Sequence, residues 1–487
     1  MDEQRARGER ECAGQRAARP LRVDRSGWSA AIHLLVVALV GCAYDDSPSF
    51  GNADPQEGVS GIGGASGTSG TSGTSGVPPA RCGENEAALC DDGRDCIQNA
   101  DCVSRHCEAN VCVAPTHDDH IQNGDETDID CGGATATACA PGQGCVAPRD
   151  CDSGVCTANR CAAPSPNDGI QNGDETDVDC GGTNAPGCEL GGACLVHDDC
   201  KSDACDYQHK CVEYKGCTAH EGGDTCGAGE VDDPARQHEN CCVELPLPSG
   251  AQLDKYLVTA GRMRAFIERT GGDVAGWIAQ HKPAWWDAEY GSVSLPTDVA
   301  SANYELSAEG ASAGCFVGGG GGGRTYWLSE ADNDLSGSGR QAYPREVLDT
   351  KALNCVRRPM LAALCAWDGK RVPTRAQQKE AWGDADYPWG NQAWNANLAV
   401  HKRTYFWPQQ QLDPDQAYHI AAPGRRPLGN GPQGHADLAA LLFEHGTGGV
   451  GLSSGSFEGH AISKGGGSIT FTINRKYWAI GGRCARY

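Results

Sequence analysis

The chain has 487 residues, with 67 Gly, 28 Cys and a formal net charge of -24. It is too long for one ordinary domain and too rich in Gly and Cys for one typical core. The acidic balance excludes a nucleic-acid partner, which needs a basic face. Regularly spaced Cys exclude the reducing cytosol, so an exported, disulfide-stapled protein is expected.

Residues 30–41, AAIHLLVVALVG, are apolar over the length of a signal-peptide core and too short to span a bilayer. The run ends in Leu39-Val40-Gly41-Cys42, which resembles a bacterial lipobox. Residues 1–41 then read as a lipoprotein signal peptide, with Arg22 and Arg25 sufficient as its basic region and Cys42 as the lipidated residue. The plainer alternative is a signal peptide followed by an incidental Cys. Ala43, rather than an Asp that would favour inner-membrane retention, follows the Cys. The expected location is the outer membrane or cell surface, held through an N-terminal lipid anchor. Residues 42–81 contain GASGTSGTSGTSG, which has too little apolar surface to fold and reads as a flexible linker.

The strongest pattern follows. Cys82, Cys90, Cys96, Cys102, Cys107 and Cys112 are separated by 8, 6, 6, 5 and 5 positions. The steps recur from Cys131 to Cys161 and from Cys180 to Cys211, with only the last step lengthened to 6, at a period of 49. Three repeats, 82–116, 117–166 and 167–212, are therefore expected, each too small for its own core and stapled internally. Spacing does not choose the pairing. Zinc is excluded, because no C-x2-C knuckle occurs.

Repeats 2 and 3 open with Ile121-Gln-Asn-Gly-Asp-Glu-Thr-Asp-Ile-Asp-Cys131 and its near copy Ile170 to Cys180. Asp125, Asp128 and Asp130, with Asp174, Asp177 and Asp179, are candidate Ca²⁺ ligands by their hard oxygens. The spacing departs from an EF-hand loop, and a solvated acidic loop is the favoured reading. Residues 82–211 hold 25 acids against 6 Lys and Arg, a net of -19. The repeats resemble the Cys-rich repeats of myxobacterial surface lipoproteins, which act as spacers or adhesion units. A Cys-containing bridge, 213–242, carries Cys217, Cys226, Cys241 and Cys242.

From residue 243 aromatic residues return and helical periodicity appears, which predicts an α+β domain over 243–487 with much irregular structure. Thr259 is placed to cap a helix bearing Met263, Phe266 and Ile267, stopped by Gly271. Pro359 suits the first turn of a second helix, with Leu361, Leu364 and Cys365 on it and Gly369 at its end. Thr374 and Gln377 form a capping box for a third. Ser468–Ile473 alternates as a half-buried strand. His401, His419, His435, His445 and His460 lack metal-ligand spacing and read as surface or satisfied side chains. The six glycines 318–323 lack a following Gly-Lys-Ser/Thr and read as a loop.

Six segments of this half carry a resemblance in order and spacing. They are Leu253-Asp-Lys-Tyr-Leu-Val-Thr259, Cys365-Ala-Trp-Asp-Gly-Lys-Arg-Val-Pro-Thr374, Tyr387-Pro-Trp-Gly-Asn391, Gly434-His-Ala-Asp-Leu-Ala439 with Phe443-Glu444, Gly466-Gly-Ser468, and Ile480-Gly-Gly-Arg-Cys-Ala-Arg486. Together they resemble the formylglycine-generating enzyme (sulfatase-modifying factor) family. The resemblance implies a C-type-lectin-like fold with little regular secondary structure and a structural disulfide between Cys365 and Cys484. It also implies a calcium remnant at Glu444, where Leu441 replaces the family's Asn, and a second calcium corner at Asn397.

The departures from that family shape the functional expectation. Its oxidases bind copper through a Cys pair shortly after the "R-G-G-S" turn, and here no Cys lies between Ser468 and Cys484. Thiolates are the soft ligands that hold Cu(I), so copper is not expected. Arg375, Gln377 and Gln378 stand where the family carries Glu, Glu and Trp. The expectation is a pseudoenzyme, a binding module for an extracellular protein or glycan, with calcium as the one candidate ion. The alternative is an oxidoreductase converting a sulfatase Cys to formylglycine.

Overall fold

Each six-Cys repeat is too short to build an aliphatic core, and sulfur takes that place. The computed structural model describes residues 89–230, 233–306, 345–401, 420–456, 459–477 and 479–487. The expected signal peptide, Cys42, the 42–81 linker, Cys82, Cys315, the glycine run and His419 lie outside the described residues.

In every repeat the third Cys pairs with the fifth and the fourth with the sixth. These bonds are Cys96–Cys107 and Cys102–Cys112, then Cys145–Cys156 and Cys151–Cys161, then Cys194–Cys205 and Cys200–Cys211. The first pairs with the second in Cys131–Cys139 and Cys180–Cys188. The sulfurs pack on one another as one buried cluster per repeat. β1 (Cys107–Glu108) pairs antiparallel with β2 (Val111–Cys112), and β3 (Cys156–Thr157) with β4 (Arg160–Cys161). Both hairpins turn through an Ala-Asn pair with φ between 50° and 66°, the hand that matches strand twist. In repeat 3 the added residue between Cys205 and Cys211 opens this turn, leaving a single bridge. Mass spectrometry of non-reduced peptides is expected to recover this same pairing in all three repeats; a bond joining two repeats would refute it.

The bridge segment is stapled by Cys217–Cys242 and Cys226–Cys241, around β5 (Cys226–Ala228) and β6 (Gln237–Glu239). Its cysteines and Tyr214 share a buried cluster with Tyr256 and Ala436, so it packs into the C-terminal domain. The Lys370 ammonium lies 3.5 Å from the Tyr214 ring centroid. Repeat 3 is fastened as well, because Arg269 donates to the Asp203 carbonyl and carboxylate while Lys215 takes the other carboxylate oxygen.

The C-terminal domain is mixed α and β with little regular secondary structure. β7 (Glu244–Pro246) and β8 (Gln252–Asp254) lead into α1 (Ala260–Arg269), whose cap Thr259 accepts the Arg262 N–H at 3.1 Å. α2 (Val274–His281), α3 (Trp286–Tyr290), α4 (Val299–Leu306) and α5 (Arg345–Asp349) follow, without a sequence signal strong enough to predict them. α6 (Arg358–Trp367) has Pro359 in its first turn and ends before Gly369 at φ 71°. α7 (Arg375–Trp382) is capped reciprocally by Thr374 and Gln377. The main core joins Met263, Phe266 and Ile267 of α1 to Met360, Leu361 and Leu364 of α6.

The chain closes with β9 (Phe443–Glu444), β10 (Val450–Ser453), β11 (Gly467–Thr470), β12 (Ile480–Gly481) and β13 (Ala485–Arg486). The order β11-β10-β9-β12 forms one sheet, parallel only between β12 and β9, and β13-β8-β7 forms another. The strand predicted over 468–473 is paired only through Thr470, because its partner β10 begins opposite it at Val450. Beyond that point the alternation continues without a ladder.

Candidate functional site

The resemblance described above would put an oxidase Cys pair between Ser468 and Cys484. Ser468 lies on β11, and the five side chains that follow it, 469–473, are apolar or hydroxyl. Ile469 and Phe471 pack on Phe443, Ala479 and Ile480. Arg375 donates to the Ser468 hydroxyl at 3.2 Å and to the carbonyls of Gly466 and Gly467. It fixes the turn that precedes the strand. Every cysteine among the described residues is disulfide-bonded, including Cys365 with Cys484.

Glu444, the expected calcium remnant, is fully buried against Arg483. The guanidinium donates to both carboxylate oxygens at 2.8 and 3.0 Å, and also to the carbonyls of Ala436, Asp254 and Lys255. Both carboxylate oxygens of Glu444 are thus taken up by the Arg483 guanidinium. Asn397 is exposed on a turn, where its N–H donates to the Asn395 side chain at 2.9 Å, whereas Glu444 is buried.

The six repeat aspartates are likewise held by their own loops. Asp125 accepts from Ala134 N–H and the Thr135 hydroxyl, Asp128 from Gly144 N–H, and Asp130 from His120. Asp174 accepts from Thr183 and Asn184, Asp177 from Ala193 N–H, and Asp179 from the N–H groups of Asp168 and Gly169. Among the described residues the only groups of three or more metal-type ligands that converge are cysteine trios, and their sulfurs belong to disulfides.

The histidines prove less scattered than the sequence suggests. His435 and His445 are buried, and loss of solvent drives each imidazole down to about 4. The neutral His445 ring donates to the Val356 carbonyl at 2.8 Å. His401 donates to the His460 carbonyl at 2.8 Å. Ser456 lies 2.6 Å from Nδ1 of His460, whose Nε2 is 3.4 Å from the Tyr477 hydroxyl. A Ser–His contact is the starting geometry for a nucleophile and base. Here Ser456 is 0% exposed, so its hydroxyl is closed to a substrate and secures the loop. Two lysines are pushed down by burial, Lys351 to about 7 and Lys476 to about 8, and both side chains lie inside the domain.

No family model matches the chain, and no curated protein does. Among solved structures, CarF is similar at 14% identity and a TM-score of 0.27, over 55% of this chain and 95% of its own. PvdO from Pseudomonas aeruginosa is similar at 14% identity and a TM-score of 0.29, over 54% and 90%. The P3c variant of Major Tropism Determinant follows at 9% and 0.23, over 54% and 60%. At TM-scores this low, these neighbours add nothing to the chemistry read from the chain's own residues.

Proposed function

We propose that the chain is a surface-anchored lipoprotein whose C-terminal domain, of the C-type-lectin-like, formylglycine-generating-enzyme type, is a non-catalytic binding module for an extracellular protein or glycan. The observation that carries this reading is the absence of any Cys between Ser468 and Ile480, coupled with disulfide bonding of every described cysteine. A copper oxidase of that family needs two free thiolates, and apolar or hydroxyl side chains do not hold Cu(I). Cys42 is the lipid attachment point, residues 42–81 are the tether, and the repeats are the spacer.

Two measurements test the reading. The purified protein is expected to bind no stoichiometric Cu(I) and to consume no oxygen with a Cys-containing sulfatase peptide. Formylglycine in that peptide would restore the oxidoreductase. Cys42→Ser is expected to abolish lipid labelling and release the protein from the membrane fraction, and retention of the label by the variant would remove the anchor.

A further inference from the structure

The acidic repeats carry a feature that a passive spacer does not need. The residue after the third Cys is aliphatic in each repeat, and Ile97, Val146 and Leu195 are 59%, 83% and 73% exposed. Each sits on a fixed tip. Its N–H donates to a buried carboxylate of the same repeat, Asp101, Asp150 or Asp199, at 2.8–2.9 Å. A second aliphatic side chain, Ile129 or Val178, is 50% exposed in repeats 2 and 3 and lies between Asp128 and Asp130 or Asp177 and Asp179. Single exposed aliphatics are ordinary, but the same register in all three repeats is not expected by chance.

We propose that the repeats are a docking surface for a cationic, amphipathic polypeptide, with these five side chains as its apolar anchors. The charge selects the partner: residues 82–211 carry a net of -19, so a second copy of the chain is repelled and a basic partner attracted. The carboxylates beside the anchors stay charged in mild acid. Backbone N–H groups, first those of Gly144 and Ala193, hold Asp128 and Asp177 below the usual carboxylate range. Because the tips are preorganised, burying them sacrifices little conformational freedom. Three copies in series add avidity to weak single contacts.

The test compares two labelled probes of equal charge on the full-length protein, a peptide alternating leucine with lysine and an oligolysine. The parent is expected to bind the leucine–lysine peptide about tenfold tighter or more, and to keep that difference as salt rises, since apolar burial is not screened. Changing Ile97, Ile129, Val146, Val178 and Leu195 together to Ser is expected to bring the two affinities within about twofold of each other. Equal affinity of the parent for both probes overturns the proposal, as does an undiminished preference in the variant. Should the fivefold variant fail to fold, the pair Val146→Ser and Leu195→Ser, at the most exposed tips, carries the same test with a smaller loss of preference.

Discussion

Removing both sulfurs of the Cys365–Cys484 bond, as Cys365→Ala with Cys484→Ala, is expected to destabilise the C-terminal domain by about 4–5 kcal/mol, the loop-closure value for so long a loop. The two residues are 119 positions apart, and both are fully buried where α6 meets the segment before β13. The bond restricts the unfolded chain across almost the whole length of the domain after α5. Urea unfolding followed by tryptophan fluorescence isolates the effect, because every tryptophan after Trp28 lies at or beyond Trp277. A loss within the ~1 kcal/mol typical of point changes would show that the bond is dispensable.

The second large effect is expected at Asp254. Its carboxylate accepts from Lys370 at 2.6 Å and Arg262 at 2.9 Å, while Arg262 also donates to Asp368 at 3.1 Å, and all four side chains are buried. Asp254→Asn keeps the shape but leaves two buried cations short of an anion, which costs about 3–5 kcal/mol. Burial alone raises the carboxyl's pKa, but Lys370 and Arg262 outweigh it and hold the group below its ordinary value. A depressed folded pKa gives stability that is complete above the unfolded value, near pH ~4, and is lost as pH falls through the lower folded value. The parent should therefore lose stability steeply in strong acid, and the Asn variant should lose less over the same range. Equal acid sensitivity in the two proteins would detach Asp254 from the effect.

What the sequence revealed was local. The caps at Thr259 and Thr374 and the turn before Pro359 depend on residues three or four positions apart, and each helix begins where its cap predicts. The 49-residue period was equally legible, because covalent stapling imposes it. Charge was legible but its use was not: the motif Asp125 to Asp130 shows four carboxylates without showing which amides turn toward them. The Glu444–Arg483 pair joins residues 39 apart, and Asp254 meets Lys370 across 116. Such contacts are set by tertiary packing, which no spacing encodes. His460 is a satisfied side chain, as the sequence suggests, but its contact with Tyr477 was not legible, since Tyr477 returns from beyond β11.

The bond separations also fix an order of assembly. Within the repeats, the described disulfides join cysteines 8–11 positions apart, so each pair can close as soon as its second member reaches an oxidising environment. The bridge must wait for spans of 15 and 25 residues. Cys365 must wait for Cys484, 119 positions later. The chain therefore matures from front to back, with its oxidised leading part finished while Cys365 is still a thiol open to the wrong partner. A disulfide isomerase has most to correct at that closure across 119 positions, and less in the repeats, where the interleaved partners lie within 11 positions of each other.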